Sequence, residues 1–489
     1  MNISRRNFIK GTSSLAVMPF ISNLSYSQNL LNPIKTVINV FLEGGPDFRH
    51  LFAPIPNTDY GNAFWKARSS LFGINPNNSN EFQEAFEQNY DQISFDSVEF
   101  GILKKADWLK NKILEGRVAI INNVFGSTSR DHPYSTLVWT SGDHDALPQE
   151  LCRSGWGGRL ASYNQKRILS VTEQPLLFCN GPHPSNPLNH SNPNLIDAPN
   201  MENFSFTKKA EWFENTERID REYALFRSLR SYYQSKRNEV SSGETFSSFV
   251  ETEKVIRSLG DQVDERLKNQ ISPQGGFISS TEGDLNSYQA RRPLLFDELL
   301  RGNQKAFFEY FAMQLLNTYY GIACQDLLDF NVISLMLEGF DTHAIQRDEE
   351  EGIEIRIQEL FGNNRGISIL DNQLFQDYPQ SKNNLIYIFS GEFGRQLKSN
   401  GAGGTEHGNG NTVLVYGDQV IGGIYGELFP QSEIATMQDW NQHIEGKTSF
   451  ERVFAAISEW AVPGSGISIF PLHNQRPLES GNALNFLQI

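Results

Sequence analysis

Four short apolar runs, each emptying into a polar loop, constrain what this chain can fold into more than any other feature. Residues 35–42 (KTVINVFL), Val118 to Val124, Val332 to Leu337 and Leu385 to Phe389 are rich in β-branched and aromatic residues. They are too short for buried helices and read as buried strands. The first is followed by Glu43-Gly44-Gly45-Pro46-Asp47, the second by Gly126-Ser127-Thr128-Ser129-Arg130-Asp131-His132, and the third by Glu338-Gly339-Phe340-Asp341-Thr342-His343. The fourth opens a glycine-rich segment holding Glu392, Arg395, Glu406 and His407, and a fifth run, Thr412 to Tyr416, closes it. Residues 100–116, with Trp108, Leu109, Ile113 and Leu114 at helical spacing, predict a helix between the first two strands. Strand, helix, strand begins a parallel sheet, so the expected class is α/β, a mostly parallel sheet flanked by helices. In such sheets ligands sit beyond the carboxyl ends of the strands, where these acids and histidines fall.

Further helices are expected over about 303–328, near 348–361 and around 449–460, and residues 181–200, rich in Pro, Asn and His, read as loop. The stretch 208–270 is dense in charged and aromatic residues with helical periodicity, so a single α/β domain over 36–489 is expected to carry a helical insertion at about 200–290. A 12% aromatic content with 35 Phe belongs to a chain that buries a core. The net charge of −15 argues against nucleic acid as a partner, because phosphate neutralisation needs basic surface. Cys152, Cys179 and Cys324 form no C-x-x-C clip and allow at most one intrachain disulfide.

The first 27 residues read as an address. Ser4-Arg5-Arg6-Asn7-Phe8-Ile9-Lys10 resembles the twin-arginine signal S-R-R-x-F-x-K, a weakly apolar stretch from Leu15 to Leu24 follows, and Ser25-Tyr26-Ser27 is a small-residue cleavage site. The twin-arginine export machinery is thus an expected partner and the periplasm, cell envelope or exterior the expected location. Elsewhere no run of eighteen apolar residues predicts an integral membrane span.

The strand-end donors are Asp47, Asp131, His132, Asp341, His343, Glu392, Glu406 and His407. Together they supply the oxygen and nitrogen ligands for one or two divalent ions. Two metals about 4 Å apart can clamp the attacking and leaving oxygens of a phosphoryl-type displacement. Each residue also has a plainer reading: Asp47 as a helix cap, His132 as a loop residue, and Asp341-Thr342-His343 as an N-cap cluster.

GGPD after the first strand, SRDH after the second, SGWGGR at 154–159, GFDTH at 339–343, GEFGR at 391–395 and GGTEHGNGN at 403–411 occur in order. Together they resemble the bacterial exported family called domain of unknown function 1501, related to the alkaline phosphatase and sulfatase superfamily. The resemblance implies an alkaline-phosphatase-like core with a metal site at the strand ends. It implies Asp47, Asp341, His343 and His407 as ligands of zinc, manganese or calcium, assisted by Glu392 and Glu406. The family usually has Asp where Glu406 stands and Ser where Asp131 stands, which leaves Ser129 or Thr128 as the candidate nucleophile; Arg130 or Arg395 would stabilise charge on the transferred group. The formylglycine cysteine signature of sulfatases, the G-x-S-x-G elbow, the P-loop and the dinucleotide fingerprint are all absent. The expected function is an exported metal-dependent hydrolase of phosphate or sulfate esters. The alternative is a noncatalytic envelope protein for binding or assembly.

Overall fold

A computed structural model of the chain describes residues 34–149, 153–183, 186–191, 194–198, 262, 263, 266, 306–481 and 483–488. The address at 1–27, Cys152 and almost all of the 200–290 segment lie outside the described residues. The chain divides into two compact units, Met1–Asn32 with Asn200–Arg291 and Pro33–Pro199 with Arg292–Ile489. The second unit carries the sheet.

The strands of the main sheet and of the hairpin that carries the site are β1 (Thr36–Leu42), β2 (Val118–Phe125), β3 (Arg167–Ser170), β4 (Leu195–Asp197), β5 (Phe330–Leu337), β6 (Leu385–Ser390), β7 (Arg395–Ser399), β8 (Thr405–His407), β9 (Asn411–Gly417), β10 (Gly423–Tyr425) and β11 (Thr448–Ser449). All but β7 and β8 form one nine-stranded sheet in the order β10-β2-β9-β6-β1-β5-β3-β4, with β11 also paired to β2. Every residue of β1, β6 and β9 is buried. Continuous rather than alternating apolar sequence is what a sheet covered on both faces requires. Helices α1 (Asp107–Leu114), α2 (His132–Ser141), α3 (Trp156–Tyr163), α4 (Ala306–Ala323), α5 (Ile353–Phe361), α6 (Gly366–Asp377) and α7 (Phe450–Ala461) accompany it. On one face Trp139, Trp156, Phe450, Phe454 and Trp460 pack with Val37, Phe41, Ile386 and Val415 in one apolar cluster. Full burial of each such side chain contributes roughly 1.5–3 kcal/mol. Among the described residues no helix is long and apolar enough to cross a membrane.

Strand direction decides where the functional loops meet. β1 pairs in parallel with β5 and β6, but β9 runs antiparallel to both β6 and β2. The start of β9, and the residues just before it, therefore reach the edge where the other strands end. Two expectations are corrected here. Residues 100–103 extend a strand, Val98–Leu103, paired with Tyr90–Phe95 across a tight turn in which Asp96 and Ser97 both have positive φ; the helix starts only at Asp107. Asp-Ser is not among the strong hairpin dipeptides, so the apolar pattern after it reads as helix. In the segment read as loop, Gly181–His183 pairs antiparallel with Asn186–Ser191, and Leu195–Asp197 adds an edge strand to the main sheet, a position that tolerates neighbouring prolines.

Where β1 ends, Gly44 and Gly45 take φ of +110° and +70°. A Cβ on Gly44 would stand 2.2 Å from the Asp341 backbone nitrogen. Only glycine lets the β1 and β5 loops approach this closely, and they are laced by Phe340 N donating to Glu43 O at 3.0 Å.

The β2 loop is anchored by His144. Its Nε2 lies 2.7 Å from Ser449 Oγ, a hydroxyl that also accepts from Glu451 N, and its ring packs on Phe125 and Phe450. Burial, reinforced by the Arg476 charge, pushes the imidazole down to about 4 from 6.5. The folded state prefers neutral His144, so its stabilisation is complete above pH 6.5 and is lost as pH falls toward 4. The loss is roughly 3 kcal/mol. Denaturant titrations at pH 7.5 and pH 4 should show a smaller acid loss for His144→Leu than for the wild type; equal losses would refute this assignment.

Candidate metal centre

Three loops at the shared edge bring together His132, Asp341, His343 and His407. His132 opens α2, whose N-cap is Asp131, with the Asp131 carboxylate accepting from Tyr134 N at 3.1 Å. Asp341 and His343 follow β5. His407 ends β8, directly across the hairpin from Arg395 on β7. Ligand-type atoms of His132, Asp341 and His407 all lie within 4.8 Å of one another. His407 Nε2 is 3.1 Å from His132 Nε2, 2.8 Å from His343 Nε2 and 3.2 Å from Asp341 Oδ1. Asp341 Oδ1 is 3.1 Å from His343 Nε2, and Oδ2 is 3.5 Å from His132 Nε2. Ligand atoms on a tetrahedral zinc ion stand about 3.4 Å apart, so the spacing of His132, Asp341 and His407 suits one ion, and His343 stands beside that trio against His407 and Asp341.

The other nitrogen of each histidine has its own acceptor. His132 Nδ1 meets Glu392 Oε1 at 2.7 Å, His343 Nδ1 meets Glu406 Oε2 at 2.8 Å, and His407 Nδ1 donates to the Arg130 carbonyl at 2.8 Å. With the protons on Nδ1, three Nε2 lone pairs and a carboxylate converge with no donor among them. A divalent cation would satisfy that arrangement, and acceptors behind metal-binding histidines are its usual accompaniment. The supports are themselves held: buried Glu392 accepts from Gly44 N and Gly45 N at 3.0 and 3.3 Å, and Glu406 Oε1 accepts from Asn400 Nδ2 at 2.7 Å. Phe393 lies under His132 and His407, with ring centroids at 4.8 and 4.5 Å.

The charges are tuned accordingly. The hydrogen bond to Glu392 raises His132, against the effect of burial. Burial and then the Arg395 charge lower His407. Burial opposes charge on Asp341, but the hydrogen bond and charge of Arg395, then His407 and His343, outweigh it and hold the carboxyl at about 2. Glu406 is likewise lowered, burial being outweighed by Asn400 and His343. Glu392→Gln and Glu406→Gln should each weaken divalent-metal affinity about 10–100-fold without unfolding the chain. Isothermal titration checks this, and unchanged affinity in both would refute the supporting role.

The structure brings Asp341, His343, His407, Glu392 and Glu406 into one network, with the two glutamates as supports behind histidines. The longer side chain of Glu406 reaches His343 Nδ1. His132, one of the strand-end donors but not in the ligand set the resemblance implies, is a corner of the cluster. Three other residues sit differently from expectation. Asp47 is fully buried against Arg68, with Oδ2 2.5 Å from Nη1 and Oδ1 3.3 Å from Nη2, while Gln346 Nε2 donates to it at 2.8 Å and His50 N at 3.2 Å. Arg68 holds that carboxyl below its usual range despite burial, and Asp47 caps the short helix Phe48–Leu51. Ser129 Oγ accepts from Asp131 N at 3.2 Å as part of a turn, and no hydrogen bond joins it to the cluster among the described residues. Arg395 is buried with its donors turned onto backbone carbonyls and Asp341, so it positions the loops. Arg130 Nη1 donates to the His407 carbonyl at 3.3 Å, and Arg130 is half-buried beside the cluster.

Residues 328–439, which contain Asp341, His343, Glu392, Arg395, Glu406 and His407, match the model of a family described as a protein of unknown function, DUF1501. This is the family that the ordered motifs resemble. No curated protein matches the sequence. Similar solved structures include an alkaline phosphatase from the Antarctic bacterium TAB5, with 12% identity over 84% of this chain and 99% of that chain and a TM-score of 0.28. A mutant of that enzyme with magnesium bound in its M3 site covers the same shares at 12% identity and a TM-score of 0.27.

Proposed function

We propose that this chain is an exported, metal-dependent hydrolase of phosphate or sulfate esters whose single centre is held by His132, Asp341, His343 and His407. The observation that carries the reading is the convergence of three histidine Nε2 atoms on the Asp341 carboxylate while every Nδ1 is engaged elsewhere. The donor set, imidazole with one carboxylate, suits zinc or manganese better than calcium, which takes oxygen ligands. A divalent ion there supplies Lewis acidity to an ester oxygen.

This chain's own residues do the remainder. Glu392, Glu406 and the Arg130 carbonyl keep the imidazoles in one tautomer and one orientation. The Arg130 guanidinium, beside His407, offers its charge to the anionic group of the ester. Because Ser129 faces a backbone amide, its hydroxyl is no longer the favoured nucleophile and water takes that place. The same observation favours the second reading, a noncatalytic envelope protein that keeps the centre for binding.

Hydrolysis of aryl phosphates and aryl sulfates by metal-loaded protein separates the two. Metal-dependent turnover that disappears in Asp341→Ala and falls about 100–1,000-fold in Arg130→Ala supports the enzyme. Full metal occupancy with no turnover on either substrate supports the binding protein. Export rests on the Ser4–Lys10 pattern, and twin lysines at Arg5 and Arg6 should hold the chain in the cytoplasm.

A further inference from the structure

We infer that the centre takes one cation only, and that the guanidinium of Arg395 is a permanent second positive charge built in beside it. This rests on the metal-centre reading above and adds the number of ions.

Arg395 is 1% exposed. Its Nε donates to Gly45 O at 2.8 Å, its Nη1 to Thr405 O at 2.9 Å, and its Nη2 to Phe340 O at 3.0 Å, to Asp341 Oδ1 at 2.6 Å and to Gly44 O. Four carbonyls and a carboxylate, all oxygen, are the ligand type a hard divalent cation selects. Here a guanidinium fills the cage. Asp341 Oδ1 is shared: 2.6 Å from the guanidinium on one side, 3.1 and 3.2 Å from His343 and His407 Nε2 on the other. The Asp341 carboxylate thus stands between the guanidinium and the imidazoles that would hold an ion. The other strand-end carboxylate that a two-metal centre would draw on, Asp47, is paired with Arg68 in the same buried manner. Asp341 and Asp47 are therefore both engaged by arginines, and a further divalent ion in the cage would meet the guanidinium's charge at contact range.

The test counts ions. Full-length protein is equilibrated with excess Mn²⁺ or Zn²⁺, desalted and analysed for metal, with His407→Ala as the blank for adventitious binding. The wild type should hold one ion per chain above that blank, and Arg395→Lys, which keeps the charge, should also hold one. Arg395→Met empties the cage and should raise the count to two, or show a calcium-dependent rise in melting temperature that the wild type lacks. Two ions per wild-type chain would overturn this inference and leave the metal centre standing. No ion in the wild type would overturn the centre itself, and the inference with it. A folded Arg395→Met chain with one ion and no response to calcium also overturns the inference. Should Arg395→Met fail to fold, the wild-type and Arg395→Lys counts decide the question.

Discussion

Replacing His407 with alanine should empty the centre. His407 Nε2 contacts His132, His343 and Asp341, so its loss removes the atom on which the others converge. Wild-type protein at a free ion concentration 100 times its dissociation constant gains about 2.7 kcal/mol from a bound ion. His407→Ala should lose that entire increment while its ion-free stability stays close to that of the wild type, because the removed ring is part-exposed and, Phe393 apart, its neighbours are polar. Asp341→Ala should behave similarly toward metal but also release Arg395, and so should destabilise the ion-free chain as well. The measurement is a pair of denaturation curves, with chelator and with metal, for each protein. Indistinguishable metal-induced stabilisation of wild type and His407→Ala would end the proposal of a histidine-bound ion.

The second large effect has the opposite signature. Asp47→Ala leaves the Arg68 guanidinium buried without its counter-charge, a loss that typically costs about 3–5 kcal/mol. Arg68 keeps its hydrogen bonds to the Gln396 and Leu397 carbonyls, so the chain should still fold, at reduced stability. Metal occupancy should be unchanged, because Asp47 belongs to the arginine pair and not to the cluster. A stable Asp47→Ala chain that had lost its ion would instead restore Asp47 to the ligand role implied by the resemblance. The two substitutions together separate a residue that binds from one that holds the fold.

Much of the candidate site is legible in the amino-acid sequence. Asp341, His343, Glu392, Glu406 and His407 each follow an apolar run or lie in the glycine-rich segment that one opens, and local pattern is enough to find them. Their division of labour is not legible. Whether Glu392 faces an ion or the Nδ1 of a histidine is set by where α2 puts His132, 260 residues earlier in the chain. His132 carries weak signal of its own, since a histidine between an acid and a proline fits a helix start equally well, and it does start α2. Arg395 has the charge expected of a group that binds an anion. Only its burial among carbonyls shows that the charge is already spent on the loops.

The sequence by itself determined the α/β class, the strand segments and the set of polar residues at their ends, because buried strands and glycine-bearing loops leave local, periodic traces. Only the tertiary structure decided which of those ends meet. Strand order and direction come largely from pairings between segments far apart in the chain, as of β1 with β5 and β6 and of β2 with β9, and no local pattern records them. The antiparallel setting of β9 delivers His407 to the edge where β2, β5 and β6 deliver His132, Asp341 and Glu392. By the same long-range packing Arg68 takes Asp47 out of that site. Which carboxylate faces an ion and which faces an arginine is thus a property of neighbours in space, and it makes a single centre out of a longer row of candidate ligands.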